Sequence, residues 1–299
     1  MRATLLMVIA GSLLALDAAS QRALIEDFAA KTYRCQATWD DAGSLATLVL
    51  SHHGIDRKDQ AEKPGISDDD VLRLSGIASL RELTLIKQPI TERGYAVAAS
   101  LPQLTTFWQE YVPDGTAPDF TAPLRSCTGL KVLAIKHNFA LNGKVTPMAD
   151  LPDMPDLERL VLDMSSATPE AVEFIVRCPN LRELQLHRTR IDRAGLARIV
   201  AALPLLETIW LKPEQSQAKL TCSDLRELRA APRITTVALH QWGKRPLRFD
   251  DGLDHLAAIP GLVEVNFGGS QRSADDPDVA ALAAARPDLR LTGLVEGKR

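Results

Sequence analysis

Aromatic residues make up only 5% of this 299-residue chain, so its core has to come from leucine, isoleucine, valine and alanine. Cysteine is scarce too. Cys35, Cys127, Cys178 and Cys222 include no CxxC pair, and their spacing suits neither a zinc site nor a dense disulfide framework. Positive charge is not in surplus: a formal net charge of -3 argues against the basic stripe of a nucleic-acid binder. No run of five or six like charges marks a solvated tail. A glycine-rich phosphate loop and an HExxH helix are both missing, which removes two common routes to catalysis and leaves no cofactor implied. The apolar run from Ala3 to Leu16 is shorter than the roughly 18 residues of a membrane-spanning helix.

That short run fits a leader instead. Met1-Arg2 supplies a small positive end, and Ala18 and Ser20 place small residues ahead of a cut before Gln21. Residues 1–20 are therefore read as a signal peptide. The mature chain would be secreted or held in the periplasm or cell envelope, with no stable membrane span after cleavage. The alternative is a cytoplasmic protein whose first residues form a helix over an open end of the fold.

What the chain has in quantity is one phrase, repeated. L-x-x-L-x-L starts at Leu80, recurs at Leu130, Leu157, Leu181 and Leu206, and continues in variant form at Ile234, Leu262 and Leu289. A weaker copy starts at Leu104, with polar Gln109 where an apolar residue belongs, and an early copy at Leu45 stands apart. From Leu80 onward the steps are 24 to 28 residues. In each unit the fourth and sixth residues are apolar and alternate with polar ones, the period of a half-buried strand. Amphipathic stretches follow, such as Pro169 to Arg177 and Arg193 to Ala202, with Thr91 and Asp192 placed as N-caps. Pro179, Pro204 and Pro260 end such stretches before the next strand. A strand and a helix in every unit put parallel strands on one side and helices on the other. No unit buries its leucine face alone, so neighbours must stack.

The pattern resembles the leucine-rich repeat proteins, whose units run to about 20–29 residues. Cys178-Pro-Asn-Leu and Cys127-Thr-Gly-Leu, just ahead of their strands, are similar to the ribonuclease-inhibitor-like, cysteine-containing subclass. The resemblance implies an α/β horseshoe solenoid, with a parallel concave sheet and convex helices, over residues 43–299 in about ten repeats. Residues 21–42 lack the pattern and are read as an N-terminal cap. The subclass's Asn or Cys after the strand survives only as Asn138; Gln88, Ser165 and Thr189 replace it elsewhere. Cys127 and Cys178, at equivalent places two repeats apart, are too distant for a disulfide and are read as buried thiols.

The third, fifth and seventh residues of each unit face the concavity. Trp210 is the sharpest candidate for a contact residue, with Lys212 two positions on, because large aromatics beside cations dominate interface energies. Trp108 holds the same position in the weak repeat. The seventh column alternates in sign through Glu110, Lys136, Asp163, His187 and Lys212, and His240 follows. Arg159 lies in the third column. An Asp163–His187 pair has no Ser, Cys or Thr nucleophile beside it in that column, and His187 and His240 stand two strands apart, too far to share one zinc. The expected function is non-catalytic recognition of a protein through Trp210, Lys212, His187, Asp163, Arg159, His240 and Trp108. The alternatives are a substrate-receptor subunit of a larger enzyme, which the short residues 21–42 disfavour, and a glycan-binding envelope protein.

Overall fold

The computed structural model describes residues 15–53, 62–91, 93–94, 101, 103–111, 124, 127–136, 148–163, 167–213, 220–240, 249–270 and 272–296. Asn138, Ser165 and most of the leader lie outside them.

One sheet runs through the described residues, with its strands in chain order. They are β1 (Arg34–Trp39), β2 (Leu45–Ser51), β3 (Glu82–Ile86), β4 (Thr106–Glu110), β5 (Val132–Lys136) and β6 (Arg159–Asp163). After these come β7 (Glu183–Thr189), β8 (Thr208–Pro213), β9 (Thr236–Leu239), β10 (Glu264–Asn266) and β11 (Arg290–Thr292). β1 pairs antiparallel with β2, and every later pairing is parallel. Along the parallel part, residues at the same repeat position stand opposite each other: Thr84 faces Trp108, Val161 faces Gln185, and Gln185 faces Trp210. The repeat columns of the sequence are thus real columns of the sheet.

The convex layer is helical: α1 (Ala18–Lys31), α2 (Asp68–Leu72), α3 (Ala171–Ile175), α4 (Arg193–Ala202), α5 (Asp254–Ala257) and α6 (Pro277–Ala285), with tight 3-10 turns such as Cys222–Ala230. Asp192 caps α4 as expected, its carboxylate accepting from the Gly195 amide at 2.9 Å. The Asp68-Asp69-Asp70 cluster forms the first turn of α2, where Ser67 and Asp70 build a reciprocal cap. Leu83, Leu133, Leu160, Leu184 and Ile209 are fully buried between sheet and helices, as their place in the repeat requires. None of the four cysteines is in a disulfide, and Cys127, Cys178 and Cys222 are buried. Loss of hydration lifts the Cys127 and Cys178 thiols to about 11 and about 12, so neither is a ready nucleophile.

At the N-terminal end, α1 and β1 cover the first parallel strand. α1 starts before the cut read at Gln21: Asp17 caps it, accepting from the Ser20 amide at 2.8 Å. Gln21 is buried; its amide donates to the Leu16 carbonyl and its carbonyl accepts from the Leu45 amide, both at 2.7 Å. Phe28 is fully buried beneath the same helix. No helix among the described residues is long and apolar enough to cross a membrane.

The strand ends share a backbone device. Counting each unit's first apolar residue as one, the eighth residue has positive φ at Lys87, Tyr111, Arg188 and Gly269 (54°, 55°, 48° and 66°). For a non-glycine residue that conformation costs about 1 kcal/mol. Cross-strand hydrogen bonds offset it: the Lys87 amide donates to the Glu110 carbonyl at 2.7 Å, and the Tyr111 amide to Lys136 at 3.2 Å. The turn sends the eighth side chain back over the strand end, which matters for Arg188.

Gln109 shows the irregular repeat's defect. It is 1% exposed on the core side of β4, and its carbonyl oxygen has no hydrogen-bond partner among the described residues. Gln109→Leu should raise the unfolding free energy by about 1–2 kcal/mol, because it removes a buried unpaired acceptor. A urea midpoint that falls would mean the side chain carries a role in the fold.

Candidate recognition face

The concave face is an organised layer. Ala134, Val161 and Ala238 occupy the fifth column yet are fully buried, so larger neighbours lie across them. Each tryptophan of that column has an alanine opposite it on the next strand: Trp108 faces Ala134, and Trp210 faces Ala238.

The two tryptophans are treated differently. Around Trp108 the face is closed by its own charges. The indole N–H donates to the Glu110 carboxylate at 3.2 Å, which also binds the Lys136 ammonium at 3.3 Å. Lys136 and Arg159 lie 5.3 and 5.7 Å from the indole centroid, within cation–π range. Arg159 is in turn held by Glu183, Nε to Oε2 3.2 Å, a charge contact without hydrogen-bond alignment.

Around Trp210 the face is open. Its half-buried ring lies between two imidazoles on adjacent strands, with His240 at 4.7 Å and His187 at 6.4 Å between centroids. Among the described residues no acceptor takes the Trp210 indole N–H, and no carboxylate pairs with Lys212. Gly268 belongs to the same arrangement, since a Cβ there would lie 2.6 Å from His240 Nε2. The missing side chain makes room for that imidazole.

Hydrogen bonds along β7 connect the two regions. Glu183 accepts from the Gln185 amide at 2.5 Å, and the Gln185 carbonyl oxygen lies 3.0 Å from His187 Nε2. An amide oxygen only accepts, so His187 carries its proton on Nε2 and keeps Nδ1 as the unprotonated nitrogen.

Asp163 corrects the expectation of an exposed acidic contact. It is 1% exposed, and it binds Arg188 rather than His187: the guanidinium donates from Nε at 2.8 Å and from a terminal nitrogen at 2.7 Å. The cause is the left-handed turn at Arg188, which folds that side chain back one strand. Asp163 is thus buried against Arg188 and not displayed on the face. The alternating charge column is therefore mostly paired internally, at Glu110–Lys136 and Asp163–Arg188.

Both imidazoles are neutral near pH 7. Burial is the main cause at His187, whose pKa falls from 6.5 to about 4; Lys136, Lys212 and His240 add to the fall, and Asp163 opposes it. Burial also lowers His240, helped by Lys212 and opposed by a hydrogen bond to Asn266. The unfolded chain takes up the His187 proton near 6.5 and the folded chain near 4. Between those values the unfolded state holds more protons, so this contribution is complete above about pH 6.5 and is lost as pH falls towards 4. The loss should be on the order of 3 kcal/mol and should shrink in His187→Gln, read by urea unfolding at stepped pH. An equal loss in both proteins would place the titration elsewhere.

The sequence singled out Trp210, Lys212, His187 and His240, and the fold brings these four together. Trp108 and Arg159 form a second, closed group. Gln185 and Arg188 were not singled out; Gln185 lies in a column already recognised, whereas nothing in the repeat pattern marks the reach of Arg188. Among the described residues, no cluster of three or more His, Cys, Asp or Glu could hold a metal ion.

No protein-family model matches the chain, and no curated protein matches it in sequence. Solved structures do. TLR13, solved in complex with ssRNA13, superposes with a TM-score of 0.51 at 17% identity, over 85% of this chain and 33% of its own. This chain thus spans about a third of TLR13. An internalin (inlF) of Listeria monocytogenes gives a TM-score of 0.45 at 14% identity, over 93% of this chain and 74% of its own. The TLR13 likeness, with the parallel sheet in strict chain order, shows the fold: an α/β leucine-rich repeat solenoid.

Proposed function

We propose that this leucine-rich repeat solenoid is a non-catalytic recognition scaffold that binds a protein through its concave face, at the group formed by Trp210, Lys212, His187 and His240. One observation carries the reading. A half-buried indole stands between two neutral imidazoles, and among the described residues nothing accepts its N–H, on a sheet where Lys136, Arg159 and Arg188 are already paired. Parallel strands locked in register do not move independently, so little conformational entropy is lost when a partner docks. Tryptophan in such a setting is the residue most enriched among interface hot spots. The engagement of Asp163 by Arg188 supports a non-catalytic role, since it leaves His187 without a carboxylate to orient it for base catalysis. Export through the leader read in residues 1–20 belongs to the same proposal, and so does membership of the ribonuclease-inhibitor-like subclass.

The test is equilibrium binding of one purified partner, first recovered on the immobilised full-length protein, to wild type and to the double variant W210A/K212A. Binding should be lost while the unfolding midpoint stays within a degree or two. Unchanged affinity in the double variant would remove the face from the account.

A further inference from the structure

The balance of donors and acceptors around Trp210 says what kind of partner the face suits. The Trp210 indole N–H and the Lys212 ammonium only donate, and neither has an acceptor among the described residues. The carboxylate and amide acceptors nearby are engaged: both Asp163 oxygens accept from Arg188, and the Gln185 oxygen accepts from His187, which leaves only neutral imidazole nitrogen to accept. We infer that the Trp210 subsite takes an acidic peptide segment of the protein partner, with an Asp or Glu carboxylate set on Lys212 and a neighbouring acceptor meeting the indole N–H. This inference rests on the recognition role proposed for the concave face and names the chemistry of its partner.

Charge complementarity favours a carboxylate over other occupants. Lys212 stands beside Arg188 and Lys136; burial and those two cations lower its pKa, and the Asp163 carboxylate opposes them only in part. An arriving anion relieves that repulsion, whereas an arriving cation or an apolar group does not. Trp210 and Lys212 are two residues apart on one face of β8, about 7 Å along the strand. That spacing lets one extended segment rest on the indole and present its carboxylate to the ammonium. A polyphosphate chain is a poorer match. Phosphate backbones need several unpaired cations in a row. Here Lys136 is held by Glu110, Arg159 by Glu183, and Arg188 by Asp163. One ammonium without an ion-pair partner among the described residues suits one carboxylate.

The experiment selects random linear 12-residue peptides displayed on phage against full-length wild type, then measures synthetic copies of the enriched peptides against wild type, W210A and K212M. Matched unfolding midpoints confirm that both variants fold. An Asp or Glu should recur at one position of the enriched peptides. Affinity should drop at least tenfold on K212M, and equally on wild type when that acidic residue is replaced by its amide. Peptides that depend on Trp210 but bind K212M as well as wild type would overturn the acidic inference and leave the recognition face standing. Peptides that bind W210A unchanged would overturn both. A failure to enrich any sequence, or tight binding of a 12-residue oligouridylate that K212M loses, would overturn the peptide assignment.

Discussion

Arg188→Ala should lower the unfolding free energy by about 3 kcal/mol, although Arg188 lies at a strand end and is partly exposed. The loss falls on its partner. Asp163 has a side chain only 2% exposed, and Arg188 donates to both of its oxygens. Removing the guanidinium leaves a carboxylate desolvated and short of donors, which costs more than the pair contributes while intact. Arg188→Lys should lie between the two, because one ammonium cannot reproduce a two-pronged contact. Replacing Asp163 by Leu in the Arg188→Ala background should recover much of the loss, since no buried charge then remains. Urea unfolding of the four proteins checks the series. A change below about 0.5 kcal/mol in Arg188→Ala would mean that the pair behaves as an ordinary surface ion pair.

Trp210→Ala should weaken partner binding by about 30-fold or more, the effect of losing an interface hot spot of 2 kcal/mol or above. Trp108→Ala should leave affinity within about threefold, although both tryptophans hold the same repeat position. Their surroundings differ. The Trp108 indole N–H is bound by Glu110, and Lys136 and Arg159 lie within cation–π distance of its ring. A partner would have to break those contacts before using that ring. Trp210 is flanked by two neutral imidazoles, and among the described residues no acceptor takes its N–H, so a partner has no such contact to break there. The stability ranking should be reversed. Trp108→Ala uncovers Ala134 and removes the cation–π contacts of Lys136 and Arg159, and should lower the urea midpoint more than Trp210→Ala does. Titration calorimetry with the captured partner, together with unfolding of each variant, checks both halves.

The fold was legible because a solenoid writes its architecture locally. Each unit repeats the same apolar spacing, and in-register stacking turns a position in the phrase into a column of the sheet, as Gln185 opposite Trp210 shows. The helical layer was legible where a full amphipathic stretch carried a cap: the segment read from Arg193 to Ala202 is α4, with Asp192 at its start. It was less so where the chain has little room. The segment read from Pro169 to Arg177 holds a helix only from Ala171 to Ile175, and Cys222 to Ala230 winds as a tighter 3-10 helix.

The concave face was legible as a set of directions and illegible as a set of pairings. Column arithmetic aimed Asp163 and His187 at the same space but could not foresee the left-handed turn that brings Arg188 between them. Trp108 and Trp210 looked equivalent for the same reason. What separates them is that Glu110 and Arg159 reach one indole while two imidazoles flank the other, and that depends on side-chain conformation. The empty space at Gly268 that admits His240 likewise belongs to packing between strands and leaves no trace in the spacing of leucines.

The central claim, that recognition takes place on the concave sheet around β8, is tested most directly by placing a photo-crosslinking benzoylphenylalanine at Thr208 and, separately, at Arg226. Thr208 faces the concavity in the third column of β8, and Arg226 is exposed on the helical side. Irradiation with the captured partner should give a crosslinked species from position 208 and none from position 226. Crosslinking from 226 alone would move the partner to the helices and contradict the account.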